Sequence, residues 1–511
     1  MVNKNKVTLL NAVSAIMLTL VNGLLGIIAT KMVIEYFGSD FNGLNSTANQ
    51  IINVLLVLEG GFTLASNVVL FAPLNKEDYS KVNGILFVTR EKFRKIGLAF
   101  FACGLAISVV YVYIVNSNLD SILVFCTILM TVIPSAFNLY YATTYRVLIQ
   151  TMQKEYVISF ANIITIGLGH IATIIMIICG GSVWMVRLIT MLFSVINSIL
   201  IAFYAKRNCR FLDIKKSEEP ITIPGTKDVM IQKVTGIIYN SAPIVFLSIA
   251  PSGGTALASV YAVYNNVFNM LKSLLRGVID APRLSIGQML SEGKRDRVWD
   301  IFAQYEFLAV FSVFTTMSTA YALILPFISI YTRGVTDADY YDMTIAVLMV
   351  LISVVEMLHI PCGHIINMAG EFRISKNFQI WSCIVLVVAM TVFGIQWGVY
   401  GLLVSVLLVA VLLAVLEIGY VHLYFFKGKM ACFFRMALPY LLTGIVAAVL
   451  EKQLAANVDG LISFVCYGFL IVLINLIFAL LIGFILERRI MLNLMKRILG
   501  LLKIKKVNSP Q

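Results

Sequence analysis

Apolar runs long enough to cross a hydrocarbon layer recur along the whole chain, separated by short polar stretches. They cover residues 7–34, 42–72, 96–115, 122–148, 156–178, 183–205, 234–251, 255–279, 299–330, 343–368, 378–395, 398–424, 436–450 and 461–486. An α-helix rises about 1.5 Å per residue, so roughly 20 apolar residues span a ~30 Å bilayer core. Within lipid the backbone must satisfy its own hydrogen bonds, which runs of this length do as helices. The predicted fold is all-α: a polytopic membrane protein with 14 transmembrane helices.

Composition agrees with the pattern. Of 511 residues, 60% are apolar or aromatic and 13% are charged, about half the roughly 25% charged residues of a soluble protein. The first run is too long for a signal-peptide core and is kept as the first span. The net charge of +13 comes from Lys and Arg in the short loops and not from one basic face, so nucleic acid is not an expected partner. With the N-terminus placed in the cytoplasm, 35 of the 39 basic residues fall on the cytoplasmic side, leaving Lys31, Arg187, Arg333 and Lys452 outside. That asymmetry predicts two cytoplasmic termini. Cys103, Cys126, Cys179, Cys362, Cys383 and Cys466 fall within or at the ends of apolar runs, and Cys209 and Cys432 in basic loops. No disulfide framework is expected.

The longest inside loop, with Pro220, Pro224 and Gly225, reads as a linker. The expected organisation is a six-helix bundle (1–205), a linker (206–233), a second six-helix bundle (234–424), two further helices (425–486) and a basic cytoplasmic tail (487–511). The tail, Arg488–Lys506 in particular, reads as an inner-surface helix drawn to anionic lipids.

A shift of 216 residues aligns 38–82 with 254–298 without gaps. Nine positions are identical, among them Gly38/Gly254, Asn49/Asn265, Asn53/Asn269 and Gly61/Gly277. The matched asparagines are informative, because Asn is not a default lipid-facing residue. The shift aligns the second span with the eighth, and an even offset preserves orientation. Two parallel six-helix halves around a site is a transporter plan.

Three segments resemble a known family: Tyr36-Phe-Gly-Ser-Asp-Phe-Asn-Gly-Leu44, Arg146-Val-Leu-Ile-Gln-Thr-Met-Gln-Lys-Glu-Tyr156 and Gly394-Ile-Gln-Trp-Gly-Val-Tyr-Gly-Leu402. With the fourteen-span layout, they look like the Wzx-type polysaccharide flippases of the multidrug/oligosaccharidyl-lipid/polysaccharide (MOP) exporter superfamily. The resemblance implies two six-helix bundles with a central cavity. It also implies alternating access that carries an undecaprenyl-diphosphate-linked oligosaccharide from the cytoplasmic to the outer leaflet of a bacterial plasma membrane, for O-antigen, capsule or exopolysaccharide synthesis. Membrane lipids, a polysaccharide polymerase and glycosyltransferases are the implied partners. The lipid II flippase branch is expected to carry basic residues in the first span. Here residues 7–30 have none, and only Lys31 could serve.

A sugar chain and a diphosphate crossing hydrocarbon need polar walls and cations. Asn265, Asn269, Lys272 and Arg276 are spaced 4, 3 and 4, which at about 100° per residue puts them within an arc of roughly 60°. Asn42, Ser46, Asn49 and Asn53 repeat that spacing without cations. The candidate substrate residues are Lys272, Arg276, Asn265, Asn269, Asn49, Asn53, Lys31 and Arg187. Amides suit sugar hydroxyls and cations suit phosphate; snorkelling of Arg276 and Arg283 and interhelical bonding of the asparagines are the plainer roles. Glu59, Glu356 and Glu417 lie within spans and are candidates for coupling to H⁺ or Na⁺, or for pairing with the cations. Gly60-Gly61 permits a bend or close helix packing, with packing the expected role.

Glu356-x-x-His359 with His364 does not make a metal set, because Pro361 interrupts the helix, and His170 reads as a bonded helix residue. No metal and no cofactor are expected. There is no nucleotide-binding loop or nucleophile constellation, so the chain reads as a non-enzyme. A lipid II flippase or a drug or metabolite antiporter of the same superfamily is the alternative reading. From another class, a membrane-embedded glycan polymerase or ligase should carry a large outer loop.

Overall fold

The computed structural model describes residues 4–59, 61–214, 227–280, 286–287, 289–290 and 295–492. Ser217 in the linker, Arg283 and the basic tail beyond residue 492 lie outside them. The helices are α1 (Lys4–Leu55), α2 (Phe62–Asn75), α3 (Tyr79–Ile114), α4 (Ser121–Phe137), α5 (Thr143–Thr151), α6 (Glu155–Ile178), α7 (Val183–Asn208), α8 (Lys227–Ile249) and α9 (Thr255–Ile279). They continue as α10 (Arg295–Tyr331), α11 (Met343–Leu358), α12 (Ile360–Met368), α13 (Phe372–Ala389), α14 (Ile395–Gly419), α15 (Met430–Ala455) and α16 (Leu461–Leu486). No strand occurs among the described residues.

Among the described residues, ten segments are long and apolar enough to cross a membrane. Two of them, Val13–Glu59 with 47 residues and Phe372–Phe425 with 54, are long enough to cross twice, and each folds at a glycine. Gly38 has φ 85° and Gly398 has φ 57°, backbone that L side chains rarely adopt. With α8 and α9, the chain is a multi-pass membrane protein with about fourteen long helices. Exposed side chains such as Leu98, Val110, Ile178 and Ile445 give it an apolar outer surface.

By compactness the chain divides in two. The first unit holds the described residues up to Ala262 with 334–338 and 394–399, and the second holds the rest. This division falls inside α9, and α8 packs on α1. In the first unit Leu44, Leu86, Phe93, Phe100, Ile128 and Leu148 form the buried core, drawn from α1, α3, α4 and α5. In the second, α10 is the central helix against which α11, α15 and α16 pack.

The kink at Gly38 is held by Asp337, whose carboxylate accepts from the Ser39 N–H (2.6 Å) and hydroxyl (2.8 Å). The helix that resumes there approaches α9 closely. A Cβ on Gly43 would lie 1.7 Å from the Thr255 carbonyl oxygen, and buried Asn42 donates to the Ser259 hydroxyl at 2.6 Å. The second span does not run straight. It passes through a 3₁₀ turn at Leu56–Glu59 and a left-handed Gly61 (φ 73°) into α2. Gly61 therefore serves a bend and not the packing role expected for it. Its repeat partner Gly277 is helical within α9.

Candidate functional site

A cavity of about 600 Å³ opens inside the first unit, between α1, α4, α6 and α7. Its wall is rich in amides and hydroxyls: Asn22, Asn45, Asn49, Asn53, Asn138, Asn162 and Asn197, with Thr131, Thr165, Thr190 and several serines. Arg146, Arg187 and His170 complete it, and no Asp or Glu is among the lining residues. Seven asparagines around two arginines is a surface built to donate hydrogen bonds to oxygen and to attract negative charge.

The local structure explains how these side chains arrive. Pro134 interrupts the α4 ladder, and the chain continues through a π-helical stretch, Asn138–Ala142, before α5. π-Bulges relax helical register and occur often at functional sites. Here the stretch brings Asn138 and, about two turns later, Arg146 to the same wall. Arg187 enters from α7 and is 7% exposed. Its guanidinium donates to the Asn45 amide oxygen, the Thr131 hydroxyl and, at 2.9 Å, the Thr127 carbonyl. Arg146 donates to Asn197 at 2.6 Å, and Asn197 in turn donates to Asn162 (2.9 Å) and Thr165 (2.7 Å). The Nε of each arginine is buried and has no partner among the described residues.

Asn49, Asn53 and Arg187 of the sequence-derived set meet at this cavity, whereas Lys31 is half-buried on α1 and is not among its lining residues. Asn45, Asn162, Asn197 and Arg146 are not among the substrate residues that the sequence points to. In the sequence Arg146 stands out only as the start of a family-like segment. Its signal was a basic residue after a Pro-containing apolar run, indistinguishable by sequence from an interface anchor. His170 faces Asn22, with Nε2 3.4 Å from its Oδ1.

The remaining candidates lie elsewhere. On α9, Asn269 and Arg276 are exposed and Asn265 and Lys272 half-buried. Lys272 forms an ion pair with Glu356 of α11 at 2.8 Å, both side chains nearly buried. Glu59 pairs with Lys233 at 3.1 Å, and Glu417 with His359 at 2.8 Å. The three span glutamates thus each face a basic group. Glu356, His359 and His364 do not converge: His364 meets Tyr305 at 2.7 Å and Asp280 at 3.5 Å. The second unit also contains an apolar cavity of about 310 Å³ between α10, α11 and α15, lined by Phe314, Met317, Val350, Leu351, Tyr440 and Ile445 among others.

No protein-family profile matches the sequence, and no curated protein matches it. Solved structures do. The lipid II flippase MurJ in an inward closed conformation superposes with a TM-score of 0.66 at 13% identity, covering 94% of this chain and 100% of that one. An inward-facing multidrug resistance MATE family transporter of the MOP superfamily gives 0.61 at 14% identity over 84% and 96%. A MOP superfamily transporter from Pyrococcus furiosus, described as having reversed polarity in its binding pocket, gives 0.53 at 13% over 88% and 96%. The chain has the fold of MOP transporters, and the proteins it resembles are transporters and flippases.

Proposed function

We propose that this chain flips an undecaprenyl-diphosphate-linked oligosaccharide from the cytoplasmic to the outer leaflet of a bacterial plasma membrane, by alternating access and with both termini in the cytoplasm. The observation that carries the reading is the wall of the 600 Å³ cavity: seven asparagines and two arginines, with no carboxylate among the lining residues. Amides match sugar hydroxyls, and a guanidinium matches phosphate oxygens in bidentate fashion. A cationic drug meets two like charges there and no counter-charge, which disfavours the antiporter alternative. The absence of basic residues from 7–30 stands against lipid II as the substrate. The apolar cavity of the second unit is suited to a polyprenyl chain, which gains by leaving polar surroundings. The α9 strip from Asn265 to Arg276 supplies further polar surface for the glycan. Lys272, Arg276, Lys31 and Arg187 are the proposed phosphate contacts, and Glu59, Glu356 and Glu417 the proposed sites of any H⁺ or Na⁺ coupling. A polymerase and glycosyltransferases would act after and before this step, and this chain itself is proposed to make or break no covalent bond.

The test is reconstitution in proteoliposomes with fluorescent undecaprenyl-diphosphate oligosaccharide, lipid II and a cationic dye as parallel cargoes. Transbilayer movement of the first well above that of the other two is expected. Movement of the dye alone would replace the proposal with the antiporter reading, and equal movement of lipid II would broaden it to peptidoglycan precursors.

A further inference from the structure

The second unit holds a buried polar cluster that the transport reading does not use. Glu306 of α10, Cys362 of α12 and His422 of the π-helical stretch Tyr420–Phe425 are 2%, 0% and 0% exposed. One ligand atom from each lies within 4.8 Å of the others. His422 Nε2 is 3.1 Å from Glu306 Oε2, and Cys362 Sγ is 3.7 Å from Glu306 Oε1. Aromatic rings of Trp299, Phe302 and Phe433 close around the imidazole.

The other ring nitrogen decides what the cluster needs. His422 Nδ1 sits 3.1 Å from the Ile418 carbonyl, an acceptor only, so Nδ1 carries a proton. In the neutral ring Nε2 then presents a lone pair to a carboxylate oxygen, and two lone pairs at that distance repel. A positive centre between them relieves the repulsion. A proton would suffice for the pair, but it leaves the sulfur with no role beyond a long contact to the same carboxylate. A metal ion uses all three donors. Tetrahedral zinc, with bonds of about 2.0–2.1 Å to N and O and about 2.3 Å to S, sets its donors roughly 3.3–3.6 Å apart. The observed contacts run to the two oxygens of one carboxylate, 3.1 Å from Oε2 to His422 Nε2 and 3.7 Å from Oε1 to Cys362 Sγ, with one ligand atom of each residue within 4.8 Å of the others, so small side-chain rotations bring the three donors to those separations. Thiolate and carboxylate together neutralise a divalent cation, which removes the cost of an uncompensated buried charge. An Nδ1–H bound to a backbone carbonyl is also the outer contact that metal-bound histidines use.

We propose that Glu306, Cys362 and His422 bind one divalent transition-metal ion of the zinc type, with water as the remaining ligand. The ion clamps α10 and α12 to the end of the last helix of the 372–425 segment. The inference is independent of the transported substrate.

The test uses the purified full-length protein in detergent, with exposed Cys103, Cys179, Cys432 and Cys466 changed to Ser, and Co²⁺ as the probe. One equivalent should bind, with thiolate-to-cobalt charge-transfer absorption and the strong visible bands of a four-coordinate site, and Zn²⁺ should displace it. Cys362→Ser should abolish the charge-transfer band. Glu306→Gln and His422→Gln should weaken binding by more than the roughly 10–100-fold typical of outer-sphere partners, while Cys383→Ser should change nothing. Folded protein that takes up no stoichiometric cobalt, or a charge-transfer band that survives Cys362→Ser, overturns the proposal and leaves a proton between His422 and Glu306.

Discussion

Arg187→Gln is the sharpest probe of the polar cavity. The wild-type guanidinium is 7% exposed and donates to Asn45, Thr131 and the Thr127 carbonyl. Its removal leaves little structural damage. The Thr127 carbonyl keeps the Thr131 hydroxyl at 2.8 Å, and a Gln amide can donate to Asn45, so stability should fall by no more than about 1–3 kcal/mol, the cost of one unsatisfied buried acceptor. The functional loss is different in kind. A charge-assisted hydrogen bond contributes about 1.5–3 kcal/mol, and about 1.4 kcal/mol is a factor of ten. Flipping of a diphosphate-linked cargo should therefore slow by roughly 10- to 150-fold. Arg187→Lys keeps the charge but loses the fork, and should fall between wild type and Gln. The assay is the proteoliposome rate, normalised to monodisperse protein, run beside a neutral glycolipid carrying the same sugar. Equal slowing of the neutral cargo would show that Arg187 only shapes the wall, and an unchanged diphosphate rate would remove Arg187 from phosphate recognition.

Three further outcomes are expected. Lys272→Met should destabilise the second unit by about 3–5 kcal/mol, the usual cost of breaking a buried ion pair, and Lys272→Met with Glu356→Met should recover most of it; thermal unfolding in detergent that shows simple additivity would deny the coupling. Gly43→Ala places a Cβ 1.7 Å from the Thr255 carbonyl and should sharply lower the yield of folded protein, whereas Gly277→Ala, in open space within a helix, should be neutral or stabilising by up to about 1 kcal/mol; equal yields would contradict the close approach of α1 to α9. In intact cells, cysteines introduced at Ser121 and Asp339 should react with an impermeant maleimide, and protection of both would invert the proposed orientation.

What the sequence determined is what depends on solvent. Lipid punishes unpaired backbone and isolated charge, so the spans, the loops that separate them and the scarcity of charge inside them are written in composition along the chain. The glycines Gly38 and Gly254, which the 216-residue shift aligns, were legible for a backbone reason. Both glycines take positive φ, at 85° and 133°, and few other residues could. The bend at Gly61 was not, because a glycine pair permits close packing and a bend alike, and only the neighbours of α2 choose between them.

The polar cavity belonged to the tertiary structure. Asn49 and Asn53 were visible because they share one helical face. Asn45, Arg146, Asn162 and Asn197 lie on four different elements, and no periodicity links them. Arg146 reaches the wall through the π-helical step after Pro134, a shift of register that a 3.6-residue pattern does not encode. Lys272 and Glu356 each read as a lone charge in a span, and the tertiary structure joins them, one from α9 and one from α11, in a 2.8 Å ion pair. The Glu306–Cys362–His422 cluster is the extreme case. Its members are separated by 56 and 60 residues, so no local spacing announces them, and they meet only because α10, α12 and the end of the 372–425 segment pack around one point.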